Sequence, residues 1–382
     1  MQNTTNAISP RERWVLTLLL LAFCGFGLFD HTCWSPNDSR EGSMIWDMYQ
    51  SGGWVTPTLN GIPYLEKPPL LHWTSLVFCK LFGVVNEGLV RLPAALYGFG
   101  ALWILLLWGR QMGRERAGFA AAFMCATSFK FMEYSKVVLT DVAVAFCVTW
   151  SFYLFWSAYN ARQGRAGRMA FFILISALSF YAKGLIGPGL IWVPVGLYLL
   201  YRRDWKLCVL LPLAFLPVGL LVVAPWAWQL WKTGGMDFIR GVFWDNQFGR
   251  FLTFTDPNLP PDPYFCHKEP IYYYLMTLPG ALLPWTLIMI PALIYWFRPK
   301  QGPADAFSMF LKFCALGMLL VLHASSAKVS SYALPLFPIL FLMTAVWVDD
   351  ASAKWDSKWA RWTLGLTANA LAVLIGLVPL FY

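Results

Sequence analysis

Residues 207–228 read LCVLLPLAFLPVGLLVVAPWAW, a run of 22 residues without a charged side chain. A helix needs about 20 apolar residues to cross the hydrocarbon core of a bilayer, so this run is long enough to span a membrane. Of the 382 residues, 58% are hydrophobic and only 13% are charged, against about 25% charged in ordinary soluble domains. This composition predicts an integral membrane protein. It excludes a disordered tail, a nucleic-acid module and a disulfide-rich secreted domain.

The same length criterion selects about eleven apolar segments in the whole chain. They are residues 14–30, 91–109, 117–135, 139–159, 169–182, 186–201, 207–228, 272–297, 305–323, 332–348 and 361–381. No small-residue cleavage site follows the first segment, so we interpret it as a span rather than a signal peptide. We therefore expect an all-α polytopic membrane protein, one domain over residues 1–382, with no soluble domain after the last span.

Basic residues lie in every second connection between the predicted spans, counted from the N-terminus. They are Arg11 and Arg13; Arg110, Arg114 and Arg116; Arg162, Arg165 and Arg168; Arg202, Arg203 and Lys206; Arg298 and Lys300; and Lys354, Lys358 and Arg361. Lys and Arg stay on the cytoplasmic side of a membrane. The net charge of +9 thus reflects orientation, and two long segments, 31–90 and 229–271, are predicted on the outer face.

Both outer segments have features that ordinary linkers lack. The first contains two amphipathic stretches, 41–50 and 70–82, which are typical of helices lying in the plane of the membrane interface. The second contains the pairs Asp256-Pro257, Pro260-Pro261 and Asp262-Pro263, which are incompatible with a regular helix, so we expect a mobile loop there. Among the cysteines of the outer segments, Cys33 and Cys266 could pair in an oxidising compartment.

Ionisable residues of the predicted outer side lie within or next to apolar segments, where a charge is costly and usually functional. Asp38, Glu66, Lys67, Asp141 and Lys183 form this set. Some of these residues also have a purely structural interpretation. Asp141 would suit the start of a helix, and Lys183-Gly184 would suit a turn between two spans. A transporter would place such groups near the midplane. Their position at one face favours a catalytic or binding cavity open to the outer leaflet.

Several motifs give the chain a family resemblance. The first outer segment contains Pro36-Asn37-Asp38-Ser39-Arg40, then Ser51 to Pro57 (SGGWVTP) and Leu59 to Pro69 (LNGIPYLEKPP). Further motifs follow in the family's order: Arg91-Leu92-Pro93, Asp141, Lys183-Gly184, Pro225-Trp226, Phe248-Gly249-Arg250-Phe251, His267-Lys268-Glu269-Pro270, Ser326-Ala327-Lys328, Tyr332 and Leu334-Pro335. The chain resembles the C-type (GT-C) integral membrane glycosyltransferases, especially the bacterial branch of lipid A aminoarabinose transferases and relatives of protein O-mannosyltransferases.

The resemblance implies an enzyme of the bacterial cytoplasmic (inner) membrane that faces the periplasm or exterior. It would transfer a sugar from a polyprenyl-phosphate donor to a lipid, glycan or protein acceptor, with inversion at the anomeric carbon. The family usually has Asp-Glu where this chain has Asn37-Asp38, and the first acid is generally the catalytic one. Asn37 occupies that first position here, and the acid that remains, one position later, is Asp38. A family His is Gln247 here, and we expect neither a metal nor another cofactor. The alternatives are a transporter or flippase of a lipid-linked sugar and a catalytically silent scaffold, the latter suggested by Asn37.

The chemistry of the residues suggests roles within such a reaction. Cations must meet the departing phosphate, and a carboxylate must take the proton of an acceptor hydroxyl. For the base we predict Asp38, with Glu66 as the second candidate and Asp141 orienting the first outer loop or sharing the proton transfer. For the donor phosphate we predict Lys67 and Arg250, then Lys183, Lys328 and Tyr332. His267 and Glu269 are assigned to the acceptor or to the loop.

Overall fold

The computed structural model describes residues 8–33, 36–249, 269–298 and 305–352, together with 361–362, 365–366 and 369. Its helices are α1 (Pro10–Gly25), α2 (Pro36–Ser51), α3 (Leu70–Phe82), α4 (Glu87–Gln111), α5 (Glu115–Ala126), α6 (Phe129–Tyr134), α7 (Thr140–Tyr159), α8 (Arg165–Lys183), α9 (Ile186–Arg202), α10 (Trp205–Arg240), α11 (Tyr273–Ala281), α12 (Thr286–Phe297), α13 (Ala306–Ala324) and α14 (Phe337–Ser352). A π-helical segment (Gly241–Gly249) continues α10, and a 3₁₀ segment (Ser330–Leu336) precedes α14. The antiparallel strands β1 (Thr58–Leu59) and β2 (Ile62–Pro63) lie between α2 and α3.

Six helical stretches among the described residues are long and apolar enough to cross a membrane. They are Glu87–Gln111, Thr140–Tyr159, Arg165–Lys183, Trp205–Gly249, Ala306–Ala324 and Ser330–Asp350. The prediction of a polytopic helical membrane protein is therefore confirmed. The last predicted span, 361–381, lies almost entirely outside the described residues.

Two predicted single spans are each broken into two helices. Segment 117–135 contains α5 and α6, separated at Thr127-Ser128, and segment 272–297 contains α11 and α12. The second break precedes Pro284, and a proline disfavours the helical conformation of the residue before it. The two breaks contact each other, because the Trp285 indole Nε1 donates to Thr127 Oγ1 at 3.0 Å. The prediction from apolar composition alone therefore joined each pair of shorter helices into a single span.

The amphipathic stretches of the first outer segment are helices, as predicted, and their apolar faces pack on protein. Ile45 of α2 and Leu71 of α3 are fully buried in one cluster with Leu89 and Ala94 of α4. One face of each helix thus packs against α4, and the position of these helices in the plane of the membrane interface stays a prediction. Leu81 of α3 nevertheless remains 74% exposed on the other side of that helix.

The second outer segment, within which a mobile loop is predicted, begins as a helix. Helix α10 continues to Arg240, interrupted where Gly234 and Gly235 leave helical geometry. Gly235 has φ +65°, a left-handed conformation that favours glycine. Residues 250–268, with the Asp-Pro and Pro-Pro pairs and Cys266, lie outside the described residues.

Helix α7 lies at the centre of the bundle and packs against α4, α8 and α9. The connections between the helices lie at two opposite ends of the bundle. The turn between α4 and α5 meets the end of α14, where the Arg114 guanidinium lies 2.6 Å from the Asp350 carboxylate. The opposite end combines the start of α7, the end of α8 and the start of α9, and there the bundle opens.

Candidate active site

A cavity of about 470 Å³ lies at this second end of the bundle. One part of its wall is apolar and comes from α9 and α13, which contribute Leu190, Val193 and Leu320. The other part is polar and brings together residues that are far apart in sequence. These are Glu66, Lys67, Asp141, Lys183, Asn246, Gln247, Tyr274, Ser325 and Tyr332.

Asp141 and Lys183 form an ion pair in the cavity wall, with Lys183 Nζ 2.5 Å from Asp141 Oδ1. Asp141 lies in the first turn of α7 and Lys183 in the last turn of α8, where the helix dipoles favour each charge. The Ser331 hydroxyl donates to Asp141 Oδ2 at 3.2 Å. Lys183 Nζ also lies 3.5 Å from the centre of the Tyr332 ring. Three predicted site residues thus form one contact group.

Gly184 follows Lys183 and turns the chain from α8 into α9. Its φ of +73° and ψ of −150° lie in a region that is essentially restricted to glycine. A Cβ at Gly184 would come within 2.1 Å of Gln247 Oε1. The same oxygen accepts a hydrogen bond from the Leu185 amide at 2.8 Å. Gln247 of the π-helical segment therefore ties that segment to the Lys183 turn.

Lys67 enters the cavity wall from the outer segment and is held by a buried carboxylate. Its Nζ lies 2.9 Å from Oε1 of Glu41, whose side chain is only 2% exposed. Oε1 also accepts from Arg40 at 3.0 Å, and Oε2 lies 2.8 Å from His72 Nε2. Burial alone would raise the pKa of Glu41, but the charge of Lys67 and the contacts with His72 and Arg40 outweigh it and lower that pKa.

Glu66 lies beside Lys67 in the cavity wall and accepts a hydrogen bond from the Tyr64 hydroxyl at 3.0 Å. Burial, followed by the negative charges of Glu41 and Glu66, raises the pKa of Tyr64. Tyr64 therefore stays protonated at neutral pH and donates to the Glu66 carboxylate. The Arg40 guanidinium lies 5.7 Å from the centre of the Tyr64 ring, which links the Glu66 and Glu41 groups.

Asp38 is placed away from the cavity lining. Its side chain is 1% exposed, and its Oδ2 lies 3.0 Å from Nη2 of the fully buried Arg91. Its Oδ1 accepts from the Val138 amide at 2.7 Å. The carboxylate of Asp38, the predicted base, is therefore held in a buried ion pair. The neighbouring Asn37 is exposed. A catalytic role for Asp38 stays a prediction.

The remaining predicted site residues are dispersed. Lys328 is 4% exposed, and its Nζ donates to the carbonyl oxygens of Ser325 and Glu269 at 2.6 and 3.2 Å. Its neighbours Ser325 and Ala327 line the cavity. Glu269 is exposed. Arg250 and His267 lie outside the described residues.

Sequence reasoning missed Glu41, His72 and Gln247 as parts of the site. Glu41 follows Asp38 by three residues, a spacing that places two side chains on the same face of a helix. That spacing, next to the ionisable set, could have indicated Glu41. No sequence signal pairs His72 or Gln247 with residues so distant along the chain.

Comparison with known proteins finds similar sequences and similar structures. Residues 66–231 match the family described as dolichyl-phosphate-mannose-protein mannosyltransferase. An undecaprenyl phosphate-alpha-4-amino-4-deoxy-L-arabinose arabinosyl transferase 1 of Pseudomonas fluorescens (strain Pf0-1) is 29% identical over 384 residues, 97% of this chain. The crystal structure of ArnT from Cupriavidus metallidurans bound to undecaprenyl phosphate matches with a TM-score of 0.79, at 21% identity over 96% of this chain and 64% of that chain. The predicted resemblance to the C-type glycosyltransferases is therefore confirmed.

A similar fold is found at lower sequence identity. The archaeal oligosaccharyltransferase AglB from Archaeoglobus fulgidus, in complex with an inhibitory peptide and a dolichol-phosphate, matches with a TM-score of 0.58. Its identity is 15%, over 96% of this chain and 54% of that chain. The chain also spans only 64% of the length of the Pseudomonas fluorescens relative. The prediction that residues 1–382 form one domain is tested by none of these matches and stays a prediction.

Proposed function

We propose that the protein transfers a sugar from a polyprenyl-phosphate donor to a lipid, glycan or protein acceptor. One observation carries the proposal: a single cavity combines the pairs Glu66/Lys67 and Asp141/Lys183 with an apolar wall. Such a cavity suits a donor that has a sugar phosphate at one end and a hydrocarbon chain at the other. A similar protein named an arabinosyl transferase and two structures of similar fold that contain polyprenyl phosphates support this donor class.

The reaction breaks the bond between the anomeric carbon and the phosphate oxygen, so negative charge develops on the departing lipid phosphate. Cations fixed beforehand at that position stabilise the transition state. Lys67 and Lys183 are the described cations of the cavity wall, and Tyr332 beside Lys183 adds a hydroxyl donor. Arg250 and Lys328 remain proposed phosphate ligands, the first outside the described residues and the second next to the cavity lining.

The acceptor hydroxyl must lose a proton as it attacks. Glu66 is the carboxylate that we favour as the base, because it lines the cavity and is oriented by Tyr64. Asp141 is held by Lys183 and Ser331, which suits a residue that orients Lys183. Asp38 is the alternative base and would have to leave Arg91. His267 and Glu269 keep their proposed place on the acceptor side, and no cofactor enters the scheme.

The finer features follow from the family and the charge pattern. We propose about eleven spans, a location in the bacterial inner membrane, a site at the periplasmic face and inversion at the anomeric carbon. The amino sugar in the relatives' names makes a pentosyl donor the first choice among candidate sugars. Hexosyl donors are the second choice.

The direct test supplies the purified protein in liposomes with a panel of polyprenyl-phosphate sugars and a membrane extract as acceptor. Mass spectrometry follows free polyprenyl phosphate and the glycosylated product. We expect Lys67→Ala to lower turnover about 100-fold or more, as loss of a preorganised charge donor does. We expect Glu66→Gln to lower turnover by about 10²–10⁴, the range of general-base catalysis.

Lys80→Ala is the matched control, because Lys80 is an exposed lysine of the same outer segment that contacts Trp54 rather than the cavity. It should turn over donor at the wild-type rate. Folded wild-type protein that releases no polyprenyl phosphate from any donor would refute the proposal.

A further inference from the structure

Glu41 lies directly behind the cavity wall, on α2, and is isolated from solvent. Its carboxylate is 2% exposed and meets three nitrogen groups from separate places in the chain. Arg40 precedes it on α2, Lys67 comes from the turn before α3, and His72 lies in the first turn of α3. The contacts thus connect α2 to the segment that carries Lys67.

The two oxygens of Glu41 have different partners. Oε1 faces Lys67 and Arg40, and Oε2 faces His72 Nε2 at 2.8 Å. These two atoms are at ion-pair distance but outside hydrogen-bond geometry. His72 is fully buried, and its ring limits the space into which the Glu41 carboxylate can turn. Lys67 is 14% exposed, which leaves its ammonium accessible from the cavity.

We propose that Glu41 is a positioning residue for donor binding, anchored by His72, which fixes the Lys67 ammonium at the cavity wall for the lipid phosphate. This inference rests on the proposed function and deepens it. Lysine has a flexible four-carbon stem with substantial rotamer freedom. An unanchored Lys67 would lose that freedom only when the phosphate arrives, which would weaken binding. Glu41 and His72 restrict the side chain beforehand.

The test is a double-mutant cycle on lipid binding, which needs no turnover. The probe is a short-chain polyprenyl phosphate, and polyprenol of the same length measures binding of the tail alone. We expect Glu41→Gln to weaken binding of the phosphate about tenfold, or about 1.4 kcal/mol. In the Lys67→Met background the same substitution should change binding less than about twofold, because residues in contact are energetically coupled.

His72 provides an independent variant for the same measurement. His72→Ala removes the ring beside Glu41 Oε2 and should weaken phosphate binding in the same direction as Glu41→Gln. His72→Gln fills that space again with an amide and should recover most of the loss. The matched control is Asp47→Asn, a carboxylate-to-amide change on the same helix at a residue that contacts Thr58, and its binding should equal that of the wild type.

Different results would overturn the positioning role of Glu41 and the proposed function. Equal effects of Glu41→Gln in the wild-type and Lys67→Met backgrounds would overturn the positioning role, and so would tighter phosphate binding by Glu41→Gln. A wild-type protein that binds the phosphate no better than the alcohol would overturn the proposed function, and the positioning role with it.

Discussion

Arg91 is fully buried and contacts a carboxylate and three backbone carbonyls. Besides Asp38, its guanidinium donates to the carbonyl oxygens of Leu28, His31 and Thr32 at 2.9–3.1 Å. The Asp38–Arg91 pair therefore joins the chain after α1 to the starts of α2 and α4. Removal of one partner from a buried pair is costly, because the other charge stays buried without compensation.

We expect Asp38→Asn to lower thermal stability while leaving the turnover of each folded molecule close to that of the wild type. The loss should be about 3–5 kcal/mol, the range for a broken buried pair. Arg91→Met should cost more, since it also removes the donors to three carbonyls. Unfolding in detergent, with turnover normalised to folded protein, measures both quantities.

Glu66→Gln is the matched comparison and should show the opposite pattern, with stability kept and turnover lost. Inactive but fully stable Asp38→Asn would restore Asp38 as the base. Sequence reasoning could place Asp38 in the ionisable set of the outer face, but it could not foresee Arg91 as its partner. Their contact depends on how α2 packs against α4, which no local pattern in either helix specifies.

The sequence predicts a helix correctly where one apolar run of the length of a span corresponds to one unbroken helix. The predicted segment 91–109 falls inside α4, and 139–159 matches α7 to within one residue. The predictions failed at breaks, as between α5 and α6 or between α11 and α12. A break in apolar surroundings changes backbone direction without changing composition, and hydropathy measures only composition.

Helices α4 and α5 approach so closely at one point that only glycine fits. A Cβ on Gly109 would lie 2.5 Å from Gly118 Cα, and one on Gly118 would lie 2.8 Å from the Leu105 carbonyl oxygen. Small residues allow such close packing of membrane helices. Because both obstacles are backbone atoms, relief would require the helices to separate.

We expect Gly109→Ala to destabilise the protein by about 1–3 kcal/mol, the usual cost of overpacking. The control is Gly196→Ala in α9, where a Cβ meets nothing within 4 Å. It should be neutral or stabilising by up to about 1 kcal/mol, since alanine favours the helix. Thermal unfolding of both variants in one detergent provides the measurement. Equal effects of the two substitutions would contradict close contact between α4 and α5.

The molecule has two chemically different ends. At one end the connections that begin with Arg110 and Arg162 are rich in arginine, and Arg13 pairs with Glu115 at 2.9 Å. At the other end lies the cavity with Lys67 and Lys183. The helices between them alternate in direction, so the charge pattern of the connections determines which end faces the cytoplasm. We therefore expect the cavity on the outer side, where a lipid-linked donor in the outer leaflet could enter.

Labelling of single cysteines in intact cells tests this orientation. Gln50 at the end of α2 and Gln163 between α7 and α8 are both exposed and lie at opposite ends of the bundle. In a parent chain with Cys33, Cys208 and Cys266 replaced by Ser, a membrane-impermeant maleimide should label Gln50→Cys at once. It should label Gln163→Cys only after the cells are disrupted. The reverse pattern would place the cavity on the cytoplasmic side, where soluble nucleotide sugars, rather than an outer-leaflet lipid donor, would reach Lys67 and Glu66.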